Sequence, residues 1–327
     1  MRGLIIGTGS IGRRHLKNLQ RLGVSDLHVY RHKPGDASLS LEGVAVQAHY
    51  CAEAAFSVRP DFAIVANPTS LHVSSAIEAA QHDCHILIEK PVSNSLDGVD
   101  DLLREVRERN LTAAVAYNLR FHPGIEALRA SLQQSDIGEV LSVRAWVGQY
   151  LPDWHPEEDY RRSYVAREEL GGGVLFTLSH ELDYLFWLFG GISEISAQAV
   201  RTKNLEMSTE SLAEITCVFN SGIIGQIHLD CIRRTPFRGC EVIGTEGTLL
   251  LDLIEPCLKL YRPSGNESLP IPARDSNWAY LEQLRDFLQA VASHTPPRTS
   301  LEDGVAVLNL ILAARRAAKN GIREACK

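Results

Sequence analysis

Three groups of residues in this chain have the types and spacing to do chemistry. Gly7, Gly9 and Gly12 stand at G-x-G-x-x-G spacing, with Ser10 and Ile11 inside the motif. One such glycine permits a tight turn, one lets backbone approach a pyrophosphate, and one lets a helix pack on a strand. The N–H groups that open the helix then face the phosphates. An apolar run before the motif and helical periodicity over Arg13–Leu19 distinguish it from a chance triple of glycines. The second group is Glu89-Lys90-Pro91, which follows the apolar run His85–Ile88. The proline biases Lys90 toward extended backbone and permits a cis peptide, so a cation is held at a strand end. A surface lysine that merely closes a strand is the other reading. The third is His180 with Asp183, three residues apart and therefore on one helix face. Histidine is the natural proton carrier near neutral pH. A core histidine bonded to backbone fits that spacing equally well.

The elements that must position these groups come in two patterns. Up to about residue 118 strand and helix alternate. Leu4–Ile6 leads into a helix that ends near Gly23, and Leu27–Tyr30 reads as the second strand. Phe62–Ala66, His85–Ile88 and Thr112–Ala116 are short apolar runs suited to strands buried on both faces, with helices from about Ser70 and near Leu96–Arg109 between them. That alternation predicts an α/β fold with a doubly wound parallel sheet of Rossmann type. After Pro123 an amphipathic helix precedes seven segments of alternating polarity, from Val140–Tyr150 to Leu258–Tyr261. They predict a second α/β domain with a large, mostly antiparallel open sheet. A helical stretch over about Val174–Phe189 interrupts these strands, and helices over about Trp278–Ala292 and Leu301–Asn320 close the chain. The expected division is a dinucleotide-binding domain over 1–120 and a substrate-binding and oligomerisation domain over 121–327. The helices within 278–320 have the option of packing back on the first domain.

The 327 residues suit two domains, and 45% hydrophobic with 22% charged residues is the balance of a globular protein. A net charge of −7 argues against a nucleic-acid surface, which wants clustered Lys and Arg. No apolar run approaches the ~20 residues needed to span a bilayer, so no membrane partner is expected. The first seven residues read as strand rather than signal peptide, and the seven cysteines include no C-x-x-C pair. Reduced thiols, a cytoplasmic location and no metal site are the expectations.

Taken together, the chain resembles the Gfo/Idh/MocA oxidoreductases, the glucose–fructose oxidoreductase and inositol dehydrogenase group. The resemblance runs over essentially the full length. It rests on Gly7–Gly12, on Asn67-Pro-Thr-Ser-Leu-His72, on Glu89-Lys90-Pro91, on the triple glycine followed by His180 and Asp183, and on Ser300-Leu-Glu-Asp-Gly304 near the end. It implies hydride transfer between a nicotinamide and a hydroxyl or keto carbon of a sugar, cyclitol or sugar derivative. Lys90 would hydrogen-bond the reacting oxygen and His180 would exchange its proton. Gly7, Gly9, Ser10, Ile11, Gly12, Asn67, Pro68, His72, Glu89, Lys90 and Asn118 would line the cofactor. Tyr117 and Arg120 at the domain junction would reach nicotinamide or substrate. The C-terminal sheet would join the chain into a homodimer or homotetramer.

Within the family an Asp usually precedes the histidine; here Thr177 occupies that place. A threonine cannot stabilise an imidazolium by charge, so Asp183 or Glu181 substitutes, His180 works unassisted, or the activity is reduced or different. The cofactor's type follows from charge. NAD enzymes place an acid at the end of the second strand. Here Arg31-His32-Lys33 stands there with no carboxylate before Asp36, which favours NADP over NAD. Trp154, His155, Arg161 and Tyr164 mix rings with hydrogen-bonding groups, as a sugar-like substrate wants, and a polar surface loop would look the same. The wording around Trp154 and His180 resembles members found with bacterial surface-polysaccharide pathways, which suggests an amino, acidic or nucleotide sugar. Two other functions fit the same motifs: a non-catalytic dinucleotide-sensing regulator and an NAD-dependent glycosidase.

Overall fold

The computed structural model describes residues 1–31, 38–41 and 43–326. They form two compact units, Met1–Asn118 with Tyr280–Val305, and Leu119–Ala279 with Ala306–Lys327.

The first unit is built on β1 (Arg2–Ile6), β2 (Asp26–Tyr30), β3 (Ser38–Leu41), β4 (Val44–His49), β5 (Phe62–Val65), β6 (His85–Ile88) and β7 (Ala113–Val115). Between them run α1 (Ser10–Arg21), α2 (Ala52–Ser57), α3 (His72–Gln81) and α4 (Val99–Glu108). The sheet order is β3-β4-β2-β1-β5-β6-β7, parallel throughout except for the antiparallel pair β3–β4. All four residues of β5 are buried, as a strand covered on both faces requires. The order reverses beside β1, so the carboxyl ends of β1 and β5 flank a crevice of the kind that binds ligands in such sheets. Phe287 stands edge-on to Phe62 at 5.9 Å and closes the core around Ile5, Leu16, Val29 and Ile64. The elements β3, β4 and α2 lie in a stretch for which the sequence pattern indicates none, and each is only four to six residues long.

The second unit carries α5 (Pro123–Gln133), β8 (Val140–Gly148), α6 (Val174–Thr177), α7 (His180–Phe189), β9 (Ile192–Val200), β10 (Leu212–Phe219), β11 (Ile224–Asp230), β12 (Phe237–Gly244), β13 (Thr248–Asp252), β14 (Cys257–Arg262), β15 (Gly265–Leu269) and β16 (Glu324–Ala325). Its nine strands run β15-β14-β13-β12-β8-β11-β10-β9-β16, antiparallel except for the parallel pair β8–β11. Along β10 and β11 buried residues alternate with more exposed ones, so one face of the sheet is covered and the other open. The helical stretch expected as one piece over 174–189 is two helices, and His180 opens the second rather than lying inside it. The last helices are α8 (Trp278–Ser293) and α9 (Leu301–Asn320). Among the described residues no helix is long and apolar enough to cross a membrane, and no cluster of His, Cys, Asp and Glu could hold a metal. All seven cysteines are free thiols; burial pushes Cys84, Cys217 and Cys231 up to about 12.

Candidate active site

The glycine motif forms the turn from β1 into α1. Gly7 has φ +101°, and a Cβ there would lie 2.6 Å from the Ala66 carbonyl oxygen. A Cβ on Gly12 would run into the Gly7 carbonyl, whereas one on Gly9 would meet open space. Gly9 is also the N-cap of α1; it brings no side-chain cap, and the first turn holds no acid. Ser10 is exposed and Ile11 half-buried. A cradle of backbone N–H groups, open beside Gly9 and without negative charge, fits a dinucleotide pyrophosphate.

Two loops leave the neighbouring strands at the same edge of the sheet. After β5, Asn67 Nδ2 donates to Ser75 Oγ at 2.8 Å, while its buried Oδ1 has no hydrogen-bond partner among the described residues. Pro68 follows it, half-buried. His72 is 2% exposed. Its Nε2 is 2.9 Å from the Asn67 carbonyl oxygen and its Nδ1 2.8 Å from that of Pro91. Burial pushes this imidazole below its usual value; the two carbonyls and the Glu89 charge pull the other way, and Lys90 adds to the depression. After β6, the Lys90–Pro91 peptide is cis, as the proline permits. Glu89 Oε1 lies 2.7 Å from Nε2 of His15, a wholly buried residue on α1. Motif reading misses His15. Its one signal in the sequence is a polar residue on the apolar stripe it shares with Leu16 and Leu19. Arg31 is half-buried just beyond β2 and bonds through its backbone N–H to the His49 carbonyl at 3.1 Å. His32 and Lys33, expected beside it, lie outside the described residues. Tyr117 and Asn118 end the first stretch of this unit, both buried.

In the second unit the triple glycine leads into α6, with Gly171 and Gly173 at φ +79° and +100°. The Glu210 carboxylate packs where a Cβ on Gly173 would go and accepts the Leu175 N–H at 3.2 Å. Burial pushes Glu210 above the usual carboxylate range. Nothing in its sequence neighbourhood marks this role. Thr177 ends α6, buried, and His180 is 7% exposed at the start of α7.

The carboxylates that flank His180 are already engaged. Asp183 accepts three bonds from Arg120, at 3.1, 3.1 and 2.7 Å, and both side chains are wholly buried. Glu181 accepts two from Arg238 on β12, at 2.7 and 2.9 Å. Arg120, expected near nicotinamide or substrate, thus has no exposed surface and a bidentate carboxylate partner. Asp183, one of the acids expected beside His180, has its charge matched by that guanidinium. Trp154 is half-buried and donates from Nε1 to the Gln149 carbonyl at 3.1 Å. His155 is exposed and Tyr164 half-buried. Arg161 is exposed and folds onto Asp159 at 2.8 Å and Glu206 at 3.4 Å.

Residues 1–117 match the model of the oxidoreductase family with an NAD-binding Rossmann fold, and residues 125–250 match the GFO/IDH/MocA C-terminal domain. The myo-inositol 2-dehydrogenase of Thermotoga maritima is 25% identical over 334 residues, covering 97% of this chain and 96% of its own. The UDP-N-acetylglucosamine 3-dehydrogenase of Acidithiobacillus ferrooxidans is 27% identical over 329 residues, covering 96% and 95%. A levoglucosan dehydrogenase solved in complex with NADH and levoglucosan shares the fold, with a TM-score of 0.88, 19% identity and coverage of 100% and 99%. The chain belongs to the GFO/IDH/MocA family of NAD-binding oxidoreductases.

Proposed function

We propose that the protein transfers a hydride between a nicotinamide and a hydroxyl or keto carbon of a sugar, cyclitol or sugar derivative. One observation carries the reading most. The glycine cradle, Asn67 and Lys90 leave the carboxyl ends of β1, β5 and β6, three adjacent parallel strands. A dinucleotide held in the cradle supplies the hydride donor or acceptor. Hydride departs from an alcohol carbon only as the oxygen loses its proton, so that oxygen needs a cation beside it and a base within reach. In this reading Lys90 is the cation and His180 takes or returns the proton. Trp154, His155, Arg161 and Tyr164 are proposed to contact the substrate. The cofactor is proposed to be NADP in preference to NAD, because Arg31 stands where an NAD enzyme places an acid. Self-association through the open face of the nine-stranded sheet belongs to the same proposal, and a sizing measurement on the purified protein tests it.

The assay follows the reduced-nicotinamide absorbance with NAD(H) and NADP(H) against myo-inositol, levoglucosan, 1,5-anhydro-D-fructose and UDP-N-acetylglucosamine. Turnover is expected with at least one of them, more efficient with the phosphorylated cofactor, and reduced by at least ~100-fold in Lys90→Ala while dinucleotide binding survives. Undiminished turnover in Lys90→Ala would remove the assignment. A strong NADH preference would overturn the argument from Arg31. Thr177 favours a second reading, a dinucleotide-sensing regulator, and tight dinucleotide binding without turnover on any compound would select it.

A further inference from the structure

We propose that His15 and His72 are positioning residues for Lys90, gripping the residues on either side of it so that its ammonium is held in one direction. The proposal rests on the reading of Lys90 given above. His15 comes from α1 and reaches the Glu89 carboxylate at 2.7 Å; His72 comes from α3 and reaches the Pro91 carbonyl at 2.8 Å. Both histidines are buried, at 0% and 2% exposure. The Glu89 backbone is fixed as well, since its N–H bonds to the Val65 carbonyl at 2.9 Å. The Lys90 N–H lies 3.3 Å from Glu89 Oε2, so the carboxylate that His15 holds also contacts the residue to be aimed. With residues 89 and 91 both pinned, little backbone freedom is left to Lys90.

The chemistry of the two rings supports a role beyond filling space. A buried imidazole is a costly occupant of a core position that an apolar side chain would fill well. Nδ1 of His15 is buried without a hydrogen-bond partner among the described residues. The ring therefore serves through Nε2 alone, which must carry the hydrogen because a carboxylate only accepts. His72 lies between two carbonyls, one on the loop after β5 and one on the loop after β6, and the proposal places the single N–H of its neutral ring on Nδ1, toward Pro91. The Lys90 charge lies close enough to His72 to oppose its protonation, and the Glu89 charge close enough to favour it. Misplacing a reacting group by about 1 Å costs on the order of 100-fold in rate.

The test uses the full-length protein with His15→Leu, His15→Gln, His72→Leu, His72→Asn and His72→Gln. Lys90 acetylation by acetic anhydride is followed across pH by peptide mass spectrometry, with the exposed Lys259 as internal reference. NADH affinity is read by its fluorescence, and kcat and KM are measured on the best compound of the panel. Each leucine variant is expected to change the Lys90 acetylation profile and lower kcat roughly 10–100-fold. NADH affinity and the dinucleotide KM of the His15 variants should stay within about threefold. His15→Gln keeps a donor near the Nε2 position and should restore both readouts. His72→Asn keeps a donor near Nδ1, toward Pro91, and should restore more than His72→Gln, which reaches toward Asn67. Unchanged Lys90 acetylation in the leucine variants would overturn the proposal, as would equal behaviour of His72→Asn and His72→Gln. The second comparison decides if a leucine variant does not fold. The acetylation profile reports on the grip even if Lys90→Ala proves active, so the two readings fail separately.

Discussion

Replacing Asp183 by asparagine takes the negative charge from a guanidinium that has no exposed surface. Arg120 donates to Asp183 through three contacts of 2.7–3.1 Å, and neither side chain touches solvent. Breaking such a pair from one side costs about 3–5 kcal/mol, because the remaining charge stays in a low dielectric. For a unit of this size each kcal/mol moves the midpoint by about 2–4 °C, so the expected fall in Tm is about 10 °C. The double variant Arg120→Met/Asp183→Leu replaces both charges by apolar groups of similar bulk and should recover most of the loss, since well-packed apolar groups do at least as well as a buried ion pair. Thermal unfolding followed by circular dichroism measures both effects. A Tm for Asp183→Asn within about 2 °C of the parent would refute the argument, and so would a double variant no more stable than the single one.

Further expectations follow from other contacts. His122 caps α5, its Nδ1 accepting the Gly124 N–H at 3.1 Å, and burial, reinforced by the Arg238 charge, pushes the ring from 6.5 down to about 4. The unfolded chain then binds more protons between these values, so this contribution is present in full above pH 6.5 and is lost as pH falls toward 4. The loss amounts to up to about 3 kcal/mol. Urea unfolding at both ends of that window should show a smaller drop for His122→Asn, which caps without titrating, and an equal drop would count against the assignment. Gly12→Ala should weaken NADH binding at least tenfold and lower Tm, because its Cβ meets the Gly7 carbonyl. Gly9→Ala should weaken binding with Tm unchanged, because its Cβ meets open protein surface. Fluorescence titration beside thermal melts separates the two, and an unaltered affinity in Gly9→Ala would remove Gly9 from the cradle.

Features that obey a local rule were legible in the sequence. The glycine turn was, because its spacing encodes backbone conformation, and β5 and β6 were, because strands buried on both faces are uninterrupted apolar runs. The region from β3 to α2 was not, since its elements are short and β4 carries half its residues on an exposed face. The break between α6 and α7 was hidden because apolar residues continue across Leu178. The sites divide in the same way. Lys90 is marked by the proline after it. The i, i+3 rule ties Asp183 to His180 but gives no sign of Arg120, 63 residues earlier, which matches its charge. The His15–Glu89 contact spans 74 residues and the Glu210–Leu175 contact 35. Partners at such distances leave no periodic trace in a single chain.

The parallel pair β8–β11 has a consequence for how the second unit comes into being. Every hydrogen-bonded neighbour of β8 lies later in the chain: β11 at Ile224–Asp230 and β12 at Phe237–Gly244. As the chain leaves the ribosome, β8 therefore waits as a strand with both edges unsatisfied until Asp230 has been made. Its centre is Val143, Ala145 and Val147, an apolar face with nothing yet beside it in the sheet. The segment with α6, α7 and His180 lies inside the connection that this pairing closes. Contacts this distant in sequence slow folding and leave strand edges open to wrong partners. The connection that carries His180 is thus closed only when β8 and β11 pair.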